Sequence, residues 1–174
     1  MQLYDCHTHT NYSLDAKYPM QEMLQSAYDH GLTGIAVTDH SDIDFYVAHN
    51  VAERMWNDAQ ELKVRQKEWA GRLEVIRGVE IGQPLYGPEW AQGIIDRGEY
   101  DFVIGAVHSV RGVGGFYSMD MGSDGPAVID GFLKAYFREV NESIRVTDFD
   151  TFPHLTYPLR YIRKAVDFPE MFYR

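Results

Sequence analysis

The sequence has few of the residues that build disulfide-rich or membrane-bound proteins. Its 174 residues include a single cysteine, Cys6, which excludes an internal disulfide framework and a four-cysteine zinc module. No apolar run approaches the length of a membrane span, and the start, Met1-Gln2-Leu3, lacks the charged and apolar regions of a signal peptide. We therefore expect a soluble cytoplasmic protein without a membrane partner.

Basic residues are also scarce. The chain has 16 lysines and arginines against 26 aspartates and glutamates, which gives a formal net charge of −10. A protein that binds nucleic acid needs a positive stripe, so this balance argues against a nucleic-acid partner. A small phosphorylated metabolite stays open as a partner, because bound divalent metals could supply the positive field that it requires.

What is present is an alternation of strand and helix patterns in a chain of single-domain length. The apolar spacing predicts helices over residues 19–31, 45–70, 89–97, 126–143 and 159–166. It predicts short strands at the start of the chain and over 34–38, 73–81, 102–107 and, more weakly, 146–152. This order implies an α/β fold of about five parallel strands whose carboxyl ends share one rim.

The predicted strand ends carry residues that can bind metals. They are His7 and His9, His40, Glu80, His108 and His154. In the first strand, alternation places His7 and His9 on one face and Cys6 on the other, where we interpret Cys6 as a small buried side chain. Random placement of the seven histidines would put about one at these strand ends, whereas five of them lie there.

This composition predicts a metal centre. Imidazole and carboxylate ligands without thiolates suit Zn, Mn or Fe and do not discriminate among them. The ligands exceed the need of one tetrahedral ion, so we expect two or three divalent ions with Glu80 as a bridge. Such a site activates water and holds a phosphoryl group, which favours a hydrolase.

The motifs resemble those of the polymerase and histidinol phosphatase (PHP) family, in the expected order. They are Asp5-Cys6-His7-Thr8-His9-Thr10, Thr38-Asp39-His40, Gly78-Val79-Glu80, Val107-His108-Ser109 and Asp150-Thr151-Phe152-Pro153-His154-Leu155. The resemblance implies a distorted seven-stranded (β/α)7 TIM-like barrel and a trinuclear metal centre. Within the family, the sequence is most similar to the stand-alone histidinol-phosphate phosphatases, which implies hydrolysis of L-histidinol phosphate in histidine biosynthesis.

The resemblance also implies individual ligands. His7 and His9 would hold the first metal, and Glu80 would bridge it to the second. His108 and His154 would complete the second metal, while His40 and Asp15 would hold the third. From its position alone, Asp15 fits a loop or cap residue equally well.

Further residues are implied at the substrate. Arg160 resembles a phosphate-binding arginine and is a catalytic candidate together with Glu80 and His108; an arginine on a helix surface is the alternative interpretation. The weaker candidates for the substrate pocket are Arg111, Ser41, Ser109 and Tyr117.

The sequence departs from the family in one respect. A final Asp-x-His motif is missing, and no histidine follows His154. We therefore expect an incomplete barrel, a single domain over residues 1–174 without its C-terminal third, completed by another segment or by a homo-oligomer. Two alternative functions stay open, namely a PHP-type nuclease or nucleotide phosphatase and a truncated metal-binding module without catalysis.

Overall fold

The computed structural model describes residues 1–115 and 126–161, and its centre is a parallel β-sheet. The sheet strands are β1 (Tyr4–Thr8), β2 (Gly34–Val37), β3 (His40–Asp42), β4 (Glu74–Gly82) and β5 (Phe102–Ala106). The helices are α1 (Met20–Asp29), α2 (Val51–Trp69), α3 (Pro88–Gly98) and α4 (Pro126–Val146). Two short strands, β6 (Ser109–Val110) and β7 (Gly114–Gly115), form a separate antiparallel pair.

All pairings in the main sheet are parallel. β1 pairs with β2, and the long strand β4 pairs with β2, β3 and β5. The α/β class is confirmed. The sheet has five parallel strands, as predicted in number, but β3 takes the place of the strand predicted over 146–152. In the register of β3 with β4, His40 lies opposite Glu80, so two candidate ligands are neighbours across the ladder.

Two predicted strands differ from the observed ones. The strand predicted over 34–38 is followed by a second short strand, β3, because the ladder with β4 is interrupted at residues 38–39 and then resumes in the same register. The strand predicted over 146–152 is wrong in extent. Helix α4 continues to Val146, and only an isolated parallel bridge joins Thr151 to Ile104.

The last predicted helix, over residues 159–166, is only partly within the described chain. A 3-10 helix covers Tyr157–Arg160, and residues 162–174 lie outside the described part. None of the described helices is both long enough and apolar enough to span a lipid bilayer.

The core consists of apolar side chains on both faces of the sheet. The helices α1 and α2 cover β2 and the first half of β4, through residues that include Leu24, Leu62 and Trp69. Helix α4 packs its own cluster around Tyr136. The prediction of a buried Cys6 is wrong, because β1 is an edge strand of the sheet among the described residues and Cys6 is exposed there.

One carboxyl group is buried within this packing. Asp58 of α2 is fully buried, and neither of its oxygens has a hydrogen-bond partner among the described residues. Burial, followed by the charges of Asp39 and Glu61, raises the pKa of Asp58 well above its usual range. The folded protein therefore holds this proton to higher pH than the unfolded chain does, and stability falls as pH rises through that interval.

We expect Asp58→Asn to stabilise the protein more at pH 8 than at about pH 4, where an unfolded aspartate begins to ionise. The amide keeps the size of the carboxyl group but cannot become charged, so the cost of burying a charge disappears. Thermal melts of both proteins at the two pH values measure the difference. Asp96→Asn, at an exposed position of α3, is the matched control, and an equal shift at both pH values would contradict the assignment.

Candidate metal centre

A buried glutamate at the rim of the sheet is surrounded by histidines. The side chain of Glu80 has 0% exposed surface, and five imidazoles place a ring nitrogen within 3.4 Å of its carboxylate oxygens. Oε2 faces His7, His9 and His40, each at 3.2 Å. Oε1 faces His108 at 3.4 Å and His154 at 3.1 Å.

The fold explains why these side chains meet. His7 lies on β1, His40 and Glu80 lie on the paired strands β3 and β4, and His108 comes two residues after β5. His154 follows the Thr151 bridge and has a φ of 32°, a left-handed conformation that is uncommon for a residue with a side chain. Strained backbone of this kind often occurs at functional sites.

Two aspartates lie beside the histidines, and one of them, Asp15, is itself a candidate ligand. Asp15, in the loop after β1, places Oδ2 at 3.1 Å from His9 Nδ1 and at 3.6 Å from His40 Nε2. Asp42, at the end of β3, places Oδ1 at 3.0 Å from His108 Nδ1 and Oδ2 at 3.6 Å from His40 Nδ1. Carboxylates in this position orient imidazoles and raise their basicity.

The pKa shifts reflect this mixture of charges. Burial alone would raise the pKa of Glu80, but contacts with His108, His154 and the other imidazoles hold it well below its usual range. Burial alone would lower the pKa of both His40 and His108. The carboxylates of Asp15 and Asp42 raise the pKa of His40 to about 11, and Asp42 and Glu80 raise the pKa of His108 to about 9. The carboxylates of the pocket therefore favour positive charge at its centre, on the imidazoles of His40 and His108.

The donor set fits divalent ions. Three groups bring ligand atoms within 4.8 Å of one another, and they share members: His7, His9 and Glu80; His9, Asp15 and His40; His40, Glu80 and His108. A cluster of adjacent ions needs ligands that are shared between ions. In the absence of a cation, protons on the imidazoles balance the carboxylate charges; a bound cation would supply that positive charge instead. His154 is outside these groups but contacts Glu80 directly.

A cavity of about 970 Å³ opens over this cluster. All seven candidate ligands line it, which are His7, His9, Asp15, His40, Glu80, His108 and His154. Arg160 lines it from the 3-10 helix, together with the aromatic rings of Tyr157 and Tyr161. The volume is in the range of small-molecule sites.

The weaker substrate candidates are placed differently. Ser109 lines the cavity and donates a hydrogen bond to Asp44. Ser41 is fully buried between His40 and Asp42 and does not line the cavity. Arg111 also lies outside the cavity lining, where its guanidinium pairs with Glu142 at 2.8 Å. These positions give Ser41 and Arg111 no direct route to a ligand in the cavity, and Tyr117 lies outside the described residues.

Sequence reasoning missed several residues of the site. Asp42 is two positions after His40 and therefore on the same face of an extended strand, a spacing that could have identified it. Gln83 accepts the backbone N–H of His108 and holds that segment in place. A Cβ on Gly82 would overlap the Asp42 carboxylate, so the contact between Asp42 and His108 requires glycine there.

Arg54 is a second guanidinium that the sequence analysis did not select. It lines the cavity from α2, and its Nη2 donates to the backbone carbonyl of His40 at 3.3 Å. Its Nε is buried without a hydrogen-bond partner among the described residues. Nothing in the helical spacing of α2 marks this arginine, because its importance arises only when α2 packs beside β3.

The sequence is similar to one protein family and to several curated proteins. The family model described as the PHP domain matches residues 5–172. A probable histidinol-phosphatase of Deinococcus radiodurans is 29% identical over 91% of this chain and 62% of its own length. A histidinol-phosphatase of Lactococcus lactis is 24% identical over 98% of this chain and 64% of its own length. The chain thus spans about three fifths of these relatives.

Solved structures show the same fold. A histidinol phosphate phosphatase from Lactococcus lactis, complexed with zinc, L-histidinol and phosphate, superimposes with a TM-score of 0.73 at 25% identity, covering 91% of this chain and 60% of that one. A structure from Listeria monocytogenes shares the fold with a TM-score of 0.64 at 13% identity, covering 83% of this chain and 62% of that one. The family model covers nearly the whole sequence, and the histidines of its motifs converge on Glu80: the chain belongs to the PHP domain family.

Proposed function

We propose that this chain provides the site of a metal-dependent phosphomonoesterase whose substrate is L-histidinol phosphate. The observation that supports this most is the buried carboxylate of Glu80 among five imidazoles at the floor of an open cavity. The relatives named histidinol-phosphatases, and the related structure complexed with zinc, L-histidinol and phosphate, support the choice of substrate.

The candidate ligands can be assigned to three ion sites. His7, His9 and Glu80 would hold one divalent ion, and His40, Glu80 and His108 a second; a third would lie between His9, Asp15 and His40. Bound divalent ions supply an activated water and neutralise phosphate oxygens. Asp42 keeps the His108 ring oriented by accepting from Nδ1, which leaves Nε2 directed at Glu80.

Two guanidinium groups are available for the phosphate. Arg160 lines the cavity from the side of the 3-10 helix, and Arg54 lines it from α2. A planar fork of N–H donors matches the oxygens of a phosphate better than a single ammonium does. We propose Arg160 as the principal phosphate ligand, because Arg54 already donates to the carbonyl of His40.

Phosphate release tests the function directly. The protein is loaded with Mn²⁺ or Zn²⁺ and incubated with L-histidinol phosphate, p-nitrophenyl phosphate or a short oligonucleotide. We expect release from histidinol phosphate in preference to the other two. Release from the oligonucleotide alone would indicate a nuclease instead, and metal binding without cleavage of any ester would indicate a module without catalysis.

We expect Arg160→Gln to lower kcat/KM for histidinol phosphate about 10- to 100-fold. A charge-assisted hydrogen bond contributes about 1.5–3 kcal/mol, which corresponds to this range. Steady-state kinetics measure the change, and inorganic phosphate should also inhibit the variant more weakly. Arg138→Gln, at an exposed position of α4, is the control. Equal kinetics in the two variants would remove Arg160 from the site.

We also propose a structural partner for the open edge of the sheet. Within the described residues, β1 pairs on one side only, and Tyr4, Asp5 and Cys6 are exposed. Unpaired strand edges bind further strands, so a complementing segment or a second copy would fit here. Light scattering, which gives the mass in solution, and hydrogen exchange of the β1 amides test whether a second copy pairs with β1. A monomeric mass together with unprotected β1 amides would contradict pairing with a second copy. A single cysteine and no internal disulfide support the cytoplasm as the place of action.

A further inference from the structure

The loop between β1 and α1 carries two candidate ligands, His9 directly after β1 and Asp15 six residues further along. Asp15 lies in this loop, and its side chain is 57% exposed. Within the loop, the backbone bonds include Asn11 N–H to Tyr18 O at 2.9 Å and Ser13 N–H to Thr10 O at 2.9 Å. These bonds shape the loop but do not attach it to the strands that carry His40 and Glu80.

The attachment comes from Asp39, a fully buried aspartate between β2 and β3. Its Oδ1 accepts the backbone N–H of Thr10 at 2.7 Å and the hydroxyl of Ser13 at 2.6 Å. Its Oδ2 accepts the hydroxyl of Thr10 at 2.6 Å. The Ser13 hydroxyl oxygen in turn accepts the backbone N–H of His40 at 2.8 Å.

These bonds connect three ligands through one carboxylate. Thr10 is adjacent to His9, Ser13 is two residues before Asp15, and His40 directly follows Asp39. Hydrogen bonds to a buried carboxylate are short and strong, and a buried charge is retained only when it is satisfied in this way. The arrangement fixes the loop against β3 before any cation binds.

We propose that Asp39 is a positioning residue that assembles the ion site formed by His9, Asp15 and His40. This inference rests on the proposed metal-dependent function. The site formed by His40, Glu80 and His108 depends less on Asp39, because the register of β3 with β4 places His40 beside Glu80. Loss of the Asp39 bonds therefore affects one ion site selectively.

The test is the number and affinity of bound ions, measured with Zn²⁺ in competition with a chromogenic chelator. Asp39→Ala should bind one ion fewer than the wild type, or bind its last ion about 10- to 100-fold more weakly. Asp15→Ala should give the same pattern. Asp39→Asn, which can still accept from Thr10 and Ser13, should largely restore binding.

Asp58→Ala is the matched control, because Asp58 is equally buried and makes no hydrogen bond to the ligand loop; it should keep the full ion count. If Asp39→Ala does not fold, Ser13→Ala removes only the two bonds of the Ser13 hydroxyl, to Asp39 and from the His40 N–H, and should still weaken the last ion about 10-fold. Wild-type ion count and affinity in Asp39→Ala, or in Ser13→Ala where that variant replaces it, would overturn the inference. A wild-type protein that binds no ion would instead overturn the proposed function.

Discussion

Glu80→Gln should abolish the proposed phosphatase reaction and lower the metal content of the protein. The amide is neutral and one of its two terminal atoms is a donor, so it can no longer bridge cations through both positions. Five imidazoles contact Glu80, and two of the three candidate ion sites share it, so its loss affects both. We expect kcat/KM for histidinol phosphate to fall by at least about 10³-fold, equivalent to about 4 kcal/mol of transition-state stabilisation.

The control for this variant is Glu139→Gln. Glu139 is a buried glutamate on α4 that accepts the backbone N–H of Arg111 and does not line the cavity. A glutamine oxygen can still accept that bond, so metal content and activity should stay at the wild-type level. An active Glu80→Gln protein with full metal content would show that the carboxylate is not the centre of the site.

Divalent ions should stabilise the folded protein strongly. At a free Zn²⁺ or Mn²⁺ concentration 1,000 times the dissociation constant, binding to the native state adds about 4 kcal/mol to the free energy of unfolding. For a domain of this size that corresponds to a rise in Tm of roughly 8–16 °C. Thermal melts in the presence of metal and of a chelator measure the effect.

Two histidine variants make this measurement specific. His108→Gln removes a ligand that contacts both Glu80 and Asp42, so the part of the metal-dependent rise in Tm that comes from the site formed by His40, Glu80 and His108 should disappear. His49→Gln changes an exposed histidine that does not line the cavity, and its rise should equal that of the wild type. A similar rise in both variants would mean that the ions bind elsewhere.

The residues at the rim of the sheet could be predicted from the sequence, because the pattern of apolar residues locates the strands and therefore the side chains at the strand ends. Parallel strands bring their carboxyl ends to one edge, so His40, Glu80 and His108 were expected to meet, and the structure brings them together. His154 reaches the same cluster although its predicted strand is only a bridge at Thr151. The position of His154 after this segment was sufficient to predict that it joins the cluster, although the predicted length of the strand was wrong.

The residues that sequence could not place depend on packing between distant elements. Arg54 reaches the cavity because α2 packs beside β3, and helical periodicity contains no information about that contact. Ser41 and Arg111 were selected from their neighbours in sequence, yet one is buried in β3 and the other pairs with α4. The exposure of Cys6 likewise depends on which strand lies at the sheet edge.

The most direct test is the ratio of divalent metal to protein chain. The protein is loaded with Zn²⁺ or Mn²⁺, passed through a desalting column and measured by elemental analysis. Convergence of imidazoles and carboxylates on Glu80 predicts two to three ions per chain in the wild type and fewer in Glu80→Gln. A ratio near zero in the loaded wild-type protein would contradict the metal centre and the phosphatase function that depends on it.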